Sequence, residues 1–132
     1  MSYLLDTDWA IDALAGKRNA AATLSELFAD GVAMSWVTVG EIYEGAFGFP
    51  APQAHLATFR TFIQQLRILN LNDPIMEQFA QIRSSLRRQG QIIPDFDILL
   101  AATALHHDLT VLTFNIRHFS RIPNLKLYTI PE

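Results

Sequence analysis

Short apolar runs alternate along this chain with longer stretches in which apolar residues recur at helical spacing, and that alternation limits the folds open to it. Residues 2–5, 32–35, 67–71, 110–113 and 125–130 read as strands. Between them, helices are expected over 6–15, ending near Gly16, and over 19–30, stopped by Gly31. Another is expected over 38–46, broken by Gly48, Phe49 and Pro50. Leu56, Phe59, Ile63 and Leu66 mark an amphipathic helix over 52–66. Asp73-Pro74 opens the next, with Asp73 as cap, Ile75, Phe79, Ile82 and Leu86 as its buried stripe, and Gly90 at its end. Residues 97–107 are apolar on nearly every side, as in a helix buried centrally. Strands that alternate with helices imply a parallel sheet covered on both faces. At 132 residues, half of them hydrophobic, the chain suits a single domain over 1–132.

In such sheets, sites form outside the carboxyl ends of the strands. Four stretches place acid or amide groups there: Leu4-Leu5-Asp6-Thr7, Val39-Gly40-Glu41-Ile42, the run 94–102 with Asp95 and Asp97, and Leu112-Thr113-Phe114-Asn115. Asp6 and Asn115 directly follow strands, while Glu41 and Asp97 are expected in first turns of helices. A carboxylate within an apolar run is costly to bury. Several together become tolerable when they share a cation, which points to a hard-metal site and metal-assisted phosphodiester chemistry.

Each residue also has a plainer reading. Asp6 can be only a helix cap, and Asn115 only a turn residue. Glu41 can be a buried acid paired with an arginine. Glu44, three residues on, shares its helical face and either supports the site or makes an exposed salt bridge. Asp8 and Asp12 suit solvent or local caps, although Asp8 can reach the site. Asp95 and Asp97 stand about 200° apart around a helix and cannot both enter one pocket. Asp95, after Pro94, fits the cap, which leaves Asp97 as the ligand, favoured in a first turn by the helix dipole. His55, His106, His107 and His118 have no zinc spacing, and Trp9, Trp36 and the phenylalanines read as core.

The absence of cysteine excludes disulfides and thiolate metal sites. No basic region followed by a long apolar stretch suggests a signal peptide, and no apolar run approaches membrane-spanning length, so a cytoplasmic protein is expected. A net charge of -3 argues against a general nucleic-acid coat protein. Two basic clusters, Arg83, Arg87 and Arg88 and then Arg117, His118 and Arg121, are either solvated faces or a rim for a phosphate backbone.

The order of these motifs resembles the PIN-domain ribonucleases and, within them, the VapC-type toxins of toxin–antitoxin pairs. The resemblance runs through YLLDTDWAIDAL, SWVTVGEIYEGA and IPDFDILLAATALHHDLTVLTFNIRHFSRIPNLKL, almost the whole chain. It implies a three-layer α/β/α sandwich with a mainly parallel sheet and a Mg2+- or Mn2+-dependent endoribonuclease. By position, the family's acids fall on Asp6, Glu41 and Asp97, and its frequent fourth acid falls on Asn115. That departure lowers the negative charge and favours one tightly bound ion over two. The resemblance further implies an RNA substrate, a homodimer, and a VapB-type antitoxin whose C-terminal segment covers the site, often with an inserted arginine. No side chain is an obvious nucleophile, so attack by water is expected. Two other readings stand beside it. One is a PIN-like binding or assembly module weakened at Asn115. The other is a haloacid-dehalogenase-like phosphatase using Asp6-Thr7-Asp8, for which Lys17 and Lys126 are poorly placed to supply the bridging lysine.

Overall fold

The structure is a computed structural model and describes residues 1–129. All five expected strands form: β1 (Tyr3–Leu5), β2 (Val32–Ser35), β3 (Arg67–Leu69), β4 (Thr110–Leu112) and β5 (Lys126–Leu127). Ile130, the end of the last expected strand, lies outside the described residues. The strands are parallel in the order β3-β2-β1-β4-β5. The first strand in sequence is thus the central one. Leu4 lies opposite Ala33 on β2 and opposite Val111 on β4.

The period of two in a strand sorts these residues onto two faces. Leu4, Ala33, Leu69 and Val111 pack with Leu86, Ile98, Ala101, Ala104 and Phe119. Those partners belong to α5 (Asp73–Arg88), α6 (Asp95–His107) and α7 (Ile116–Phe119). Leu5, Val32, Met34 and Leu112 turn the other way, onto Trp9, Leu24, Val39 and Phe59. These come from α1 (Thr7–Ala15), α2 (Ala20–Leu27), α3 (Trp36–Ala46) and α4 (Pro52–Ile63). The result is the expected three-layer α/β/α arrangement. Each large side chain buried in it contributes about 1.5–3 kcal/mol.

Local chemistry moves several helix boundaries. Ser35 accepts the Val37 N–H on its Oγ at 3.1 Å, so α3 begins two residues earlier than expected. Glu41 therefore stands in the second turn of α3, not the first. Asn72 rather than Asp73 caps α5, accepting the Ile75 N–H at 3.0 Å, and Asp73 becomes its first helical residue. Pro94 precedes α6 as its cap position, and Asp95 makes no side-chain cap. The helix after Asn19 ends at Leu27 and tightens into a 3-10 turn, Phe28–Asp30. The short α7 has too few residues to show periodicity and was not expected.

Gly31 closes that turn with φ +87°, and a Cβ there would lie 2.8 Å from the Met1 Cα. Its carbonyl accepts the Ser2 and Tyr3 N–H groups at 3.0 and 3.2 Å, which seats the start of β1. Trp9 is buried and stacks on Phe114, with ring centroids 5.2 Å apart. The aromatic core expectation fails for Trp36, Phe47, Phe49 and Phe96, all exposed. Trp36 and Phe96 stand in first turns of helices, Phe47 and Phe49 in the α3–α4 connection, and the sheet covers none of them.

Candidate active site at the carboxyl edge of the sheet

Asp6 follows β1 and is held from two sides. Its Oδ1 accepts the Thr7 N–H at 2.7 Å, the cap of α1, and its Oδ2 accepts the Thr113 hydroxyl at 2.7 Å. The cap reading is realised, and the second oxygen of the same carboxylate faces the end of β4. Asp6 N–H also donates to the Leu112 carbonyl at 2.9 Å, tying the ends of β1 and β4 together. Asp8, on the next turn of chain, reaches the same place. Its Oδ2 accepts the Phe114 N–H at 3.0 Å and its Oδ1 the Trp9 N–H at 2.7 Å. Asp12 does not face solvent; it is buried and pairs with Arg18.

Glu41 comes in from α3, half-buried, with Oε1 accepting the Thr7 hydroxyl at 3.0 Å. No arginine pairs with it among the described residues, which removes the buried ion-pair reading. Glu44 is exposed and acts on Glu41 only through its charge. Asp97, the third residue of α6, lies against His118 and Asn115. His118 Nδ1 is 2.8 Å from Asp97 Oδ2, and Asn115 Nδ2 is 3.4 Å from the same oxygen. Asp95 points away to Arg83, whose Nε donates to it at 2.8 Å, so the choice of Asp97 over Asp95 for this corner agrees with the geometry.

The four acids share one field. Burial pushes the Asp6 carboxyl up to about 7, helped by the charges of Asp8 and Asp97 and opposed by the Thr113 and Thr7 hydrogen bonds. Burial likewise pushes Asp8 up, against the donated N–H groups of Phe114 and Trp9. Glu41 is raised by burial and then by Asp97, Glu44 and Asp8, with Thr7 opposing. An oxygen cluster of this kind, ionised at a cost, has the donor chemistry that a hard divalent cation satisfies. Among the described residues no three carboxylate or imidazole groups already surround one point. Among the described residues Asp97 and Glu41 each keep one carboxylate oxygen free of hydrogen bonds, whereas both oxygens of Asp6 are engaged.

Thr7 and Thr113 were not singled out from the sequence, and His118 was marked only as part of a basic cluster, not as a neighbour of Asp97. Thr7 and Thr113 adjoin marked residues and supply hydroxyls to them. His118 stands three residues after Asn115, one turn of α7, a spacing that was readable once that helix is known. Of the basic clusters, Arg83 is taken by Asp95 and Arg88 by Ser84. Lys126 pairs with Asp108, and among the described residues neither it nor Lys17 pairs with Asp6 or Asp8 as a phosphatase would need.

The sequence matches the PIN domain over residues 3–125. A Haemophilus influenzae protein named Ribonuclease VapC2 is 31% identical over 128 residues, covering 96% of each chain. A Salmonella typhimurium protein named tRNA(fMet)-specific endonuclease VapC is 29% identical over 127 residues, again covering 96% of each. Among solved structures, VapBC2 from Rickettsia felis bound to a DNA fragment from its promoter aligns with a TM-score of 0.91 at 26% identity. It covers 99% of this chain and 100% of that one.

Proposed function

The chain belongs to the PIN-domain family and, within it, to the VapC ribonucleases, and from that premise we propose that it is a divalent-metal-dependent endoribonuclease, the toxin of a VapBC-type pair. The observation that carries the catalytic part is the meeting of Asp6, Asp8, Glu41 and Asp97 in one field, with Asp6 raised to about 7. Asp6 after β1, Asp8 on α1, Glu41 on α3 and Asp97 on α6 act through their charges across one corner although they are spread over more than ninety residues of chain. A binding module would gain nothing from such mutually repelling groups.

In this reading Asp6, Glu41 and Asp97 hold Mg2+ or Mn2+, with Asn115 and Asp8 beside them and Glu44 and Asp95 outside the ligand set. An ion held there would polarise a phosphoryl oxygen of the scissile bond and lower the pKa of an attacking water. Thr7 and Thr113 fix the rotamers of Glu41 and Asp6 through their hydroxyls. Asn115 contributes a neutral amide where the family resemblance implies an acid, which leaves less charge to support a second ion.

The substrate is RNA, cleaved in single-stranded loops where bases are accessible. The name of the Salmonella relative makes initiator tRNA the first RNA to test. The Rickettsia structure supports a VapB-type antitoxin as the partner. A homodimer and a cytoplasmic location complete the proposal; no helix among the described residues is long and apolar enough to cross a membrane. The decisive experiment incubates purified, antitoxin-free protein with tRNA in Mg2+ or Mn2+, with chelator and Asp97→Asn as controls. Cleavage that vanishes in both controls supports the reading. A protein that folds and leaves every RNA intact in either metal overturns it in favour of the binding module.

A further inference from the structure

The corner around Asp97 contains one group with no place in a carboxylate metal site. His118 brings its Nδ1 to 2.8 Å from Asp97 Oδ2 and 2.7 Å from the Asn115 amide nitrogen. The imidazole is partly buried, and α7 is fixed behind it by Phe119, which is fully buried in the core. We propose that His118 is a positioning residue for Asp97, orienting the carboxylate so that its second oxygen is presented to the divalent ion. This rests on the metal-dependent reading given above.

Proton bookkeeping supports a directed contact. A single Nδ1 carries either a hydrogen or a lone pair. Were it to accept from the Asn115 amide, its lone pair would face an oxygen of Asp97 at 2.8 Å, two acceptors in contact. With the hydrogen on Nδ1, it donates to Asp97 Oδ2, and the Asn115 side chain turned over offers its carbonyl oxygen to the same hydrogen. The amide orientation is an assignment from the surrounding network, and turning it gives up only the long 3.4 Å contact from the Asn115 amide nitrogen to Asp97 Oδ2. Asp97 Oδ2 is then occupied by His118, while Asp97 Oδ1 receives no hydrogen bond among the described residues. Partners that fix a ligand's orientation in this way are worth about 10–100-fold in metal affinity.

The experiment measures Mn2+ and Mg2+ binding to the full chain by calorimetry without RNA, together with the metal dependence of cleavage, for the wild type, His118→Ala and His118→Asn. An asparagine amide can replace the Nδ1 donor, whereas alanine cannot. The expected result is affinity for both ions about 10–100-fold weaker in His118→Ala, most of it restored in His118→Asn, with the metal concentration for half-maximal cleavage raised in step. Circular dichroism of both variants shows whether α7 has stayed in place. Unchanged affinity in folded His118→Ala, or equal losses in the two variants, overturns the positioning role while leaving the metal reading intact. Failure of the wild type itself to bind either ion is distinguishable from both, and removes the metal reading together with this one.

Discussion

Asp6 is where the energetics of single residues are sharpest. Its carboxyl titrates near 7 in the folded, metal-free chain against 3.8 in the unfolded one. The native state therefore holds a proton that the unfolded chain has released throughout that window. The associated stability is fully present below about pH 4 and is lost as pH rises through 7, by about 4 kcal/mol at most. Asp8 and Glu41, also raised, act in the same direction. Metal-free protein should thus melt at a higher temperature at pH 5.5 than at pH 8. Asp6→Asn should flatten that slope and stabilise the protein at pH 8, while abolishing metal-dependent cleavage. Melting curves in chelator across pH test the first claim; a variant as pH-sensitive as wild type counts against the value near 7. Thr113→Val removes a donor to Asp6 and should cost about 1–3 kcal/mol at pH 8, with a smaller loss at pH 5.5, where Asp6 is protonated.

At the scale of elements, the strands and long helices were legible because apolar periodicity follows directly from burial on one or two faces. Helix starts were less so. Ser35 and Asn72 took the cap positions because their side-chain oxygens reach the N–H groups of Val37 and Ile75, a competition that neighbouring Thr38 and Asp73 also enter on composition alone. The site acids could be named because strand ends and apolar flanks mark them. The contact of His118 with Asp97 could not, since it depends on a four-residue helix and on a residue 21 positions earlier. The turn at Gly31 carries a further expectation. Alanine there meets both a left-handed φ and the Met1 backbone at 2.8 Å, so Gly31→Ala should destabilise by about 2 kcal/mol. Chemical denaturation at pH 6 measures it; a change under about 0.5 kcal/mol means that the N-terminus yields easily.

For the molecule as a whole, a cation that relieves repulsion among buried acids must bind the native state in preference to the unfolded one. At a hundred times its dissociation constant, Mg2+ or Mn2+ should add about 2.7 kcal/mol, or about 10 °C in Tm for a chain of this size. A flat thermal titration through millimolar metal would remove the proposed ion from the site. Sheet order has an effect of another kind. β1 is the first strand to be synthesised, yet one of its two neighbours is β4, and the hydroxyl that holds Asp6 belongs to Thr113, 107 residues further on. A nascent chain still tethered to the ribosome with β4 inside the exit tunnel has no assembled centre. Assembly of that corner therefore waits on the emergence of β4, long after β1 has been made.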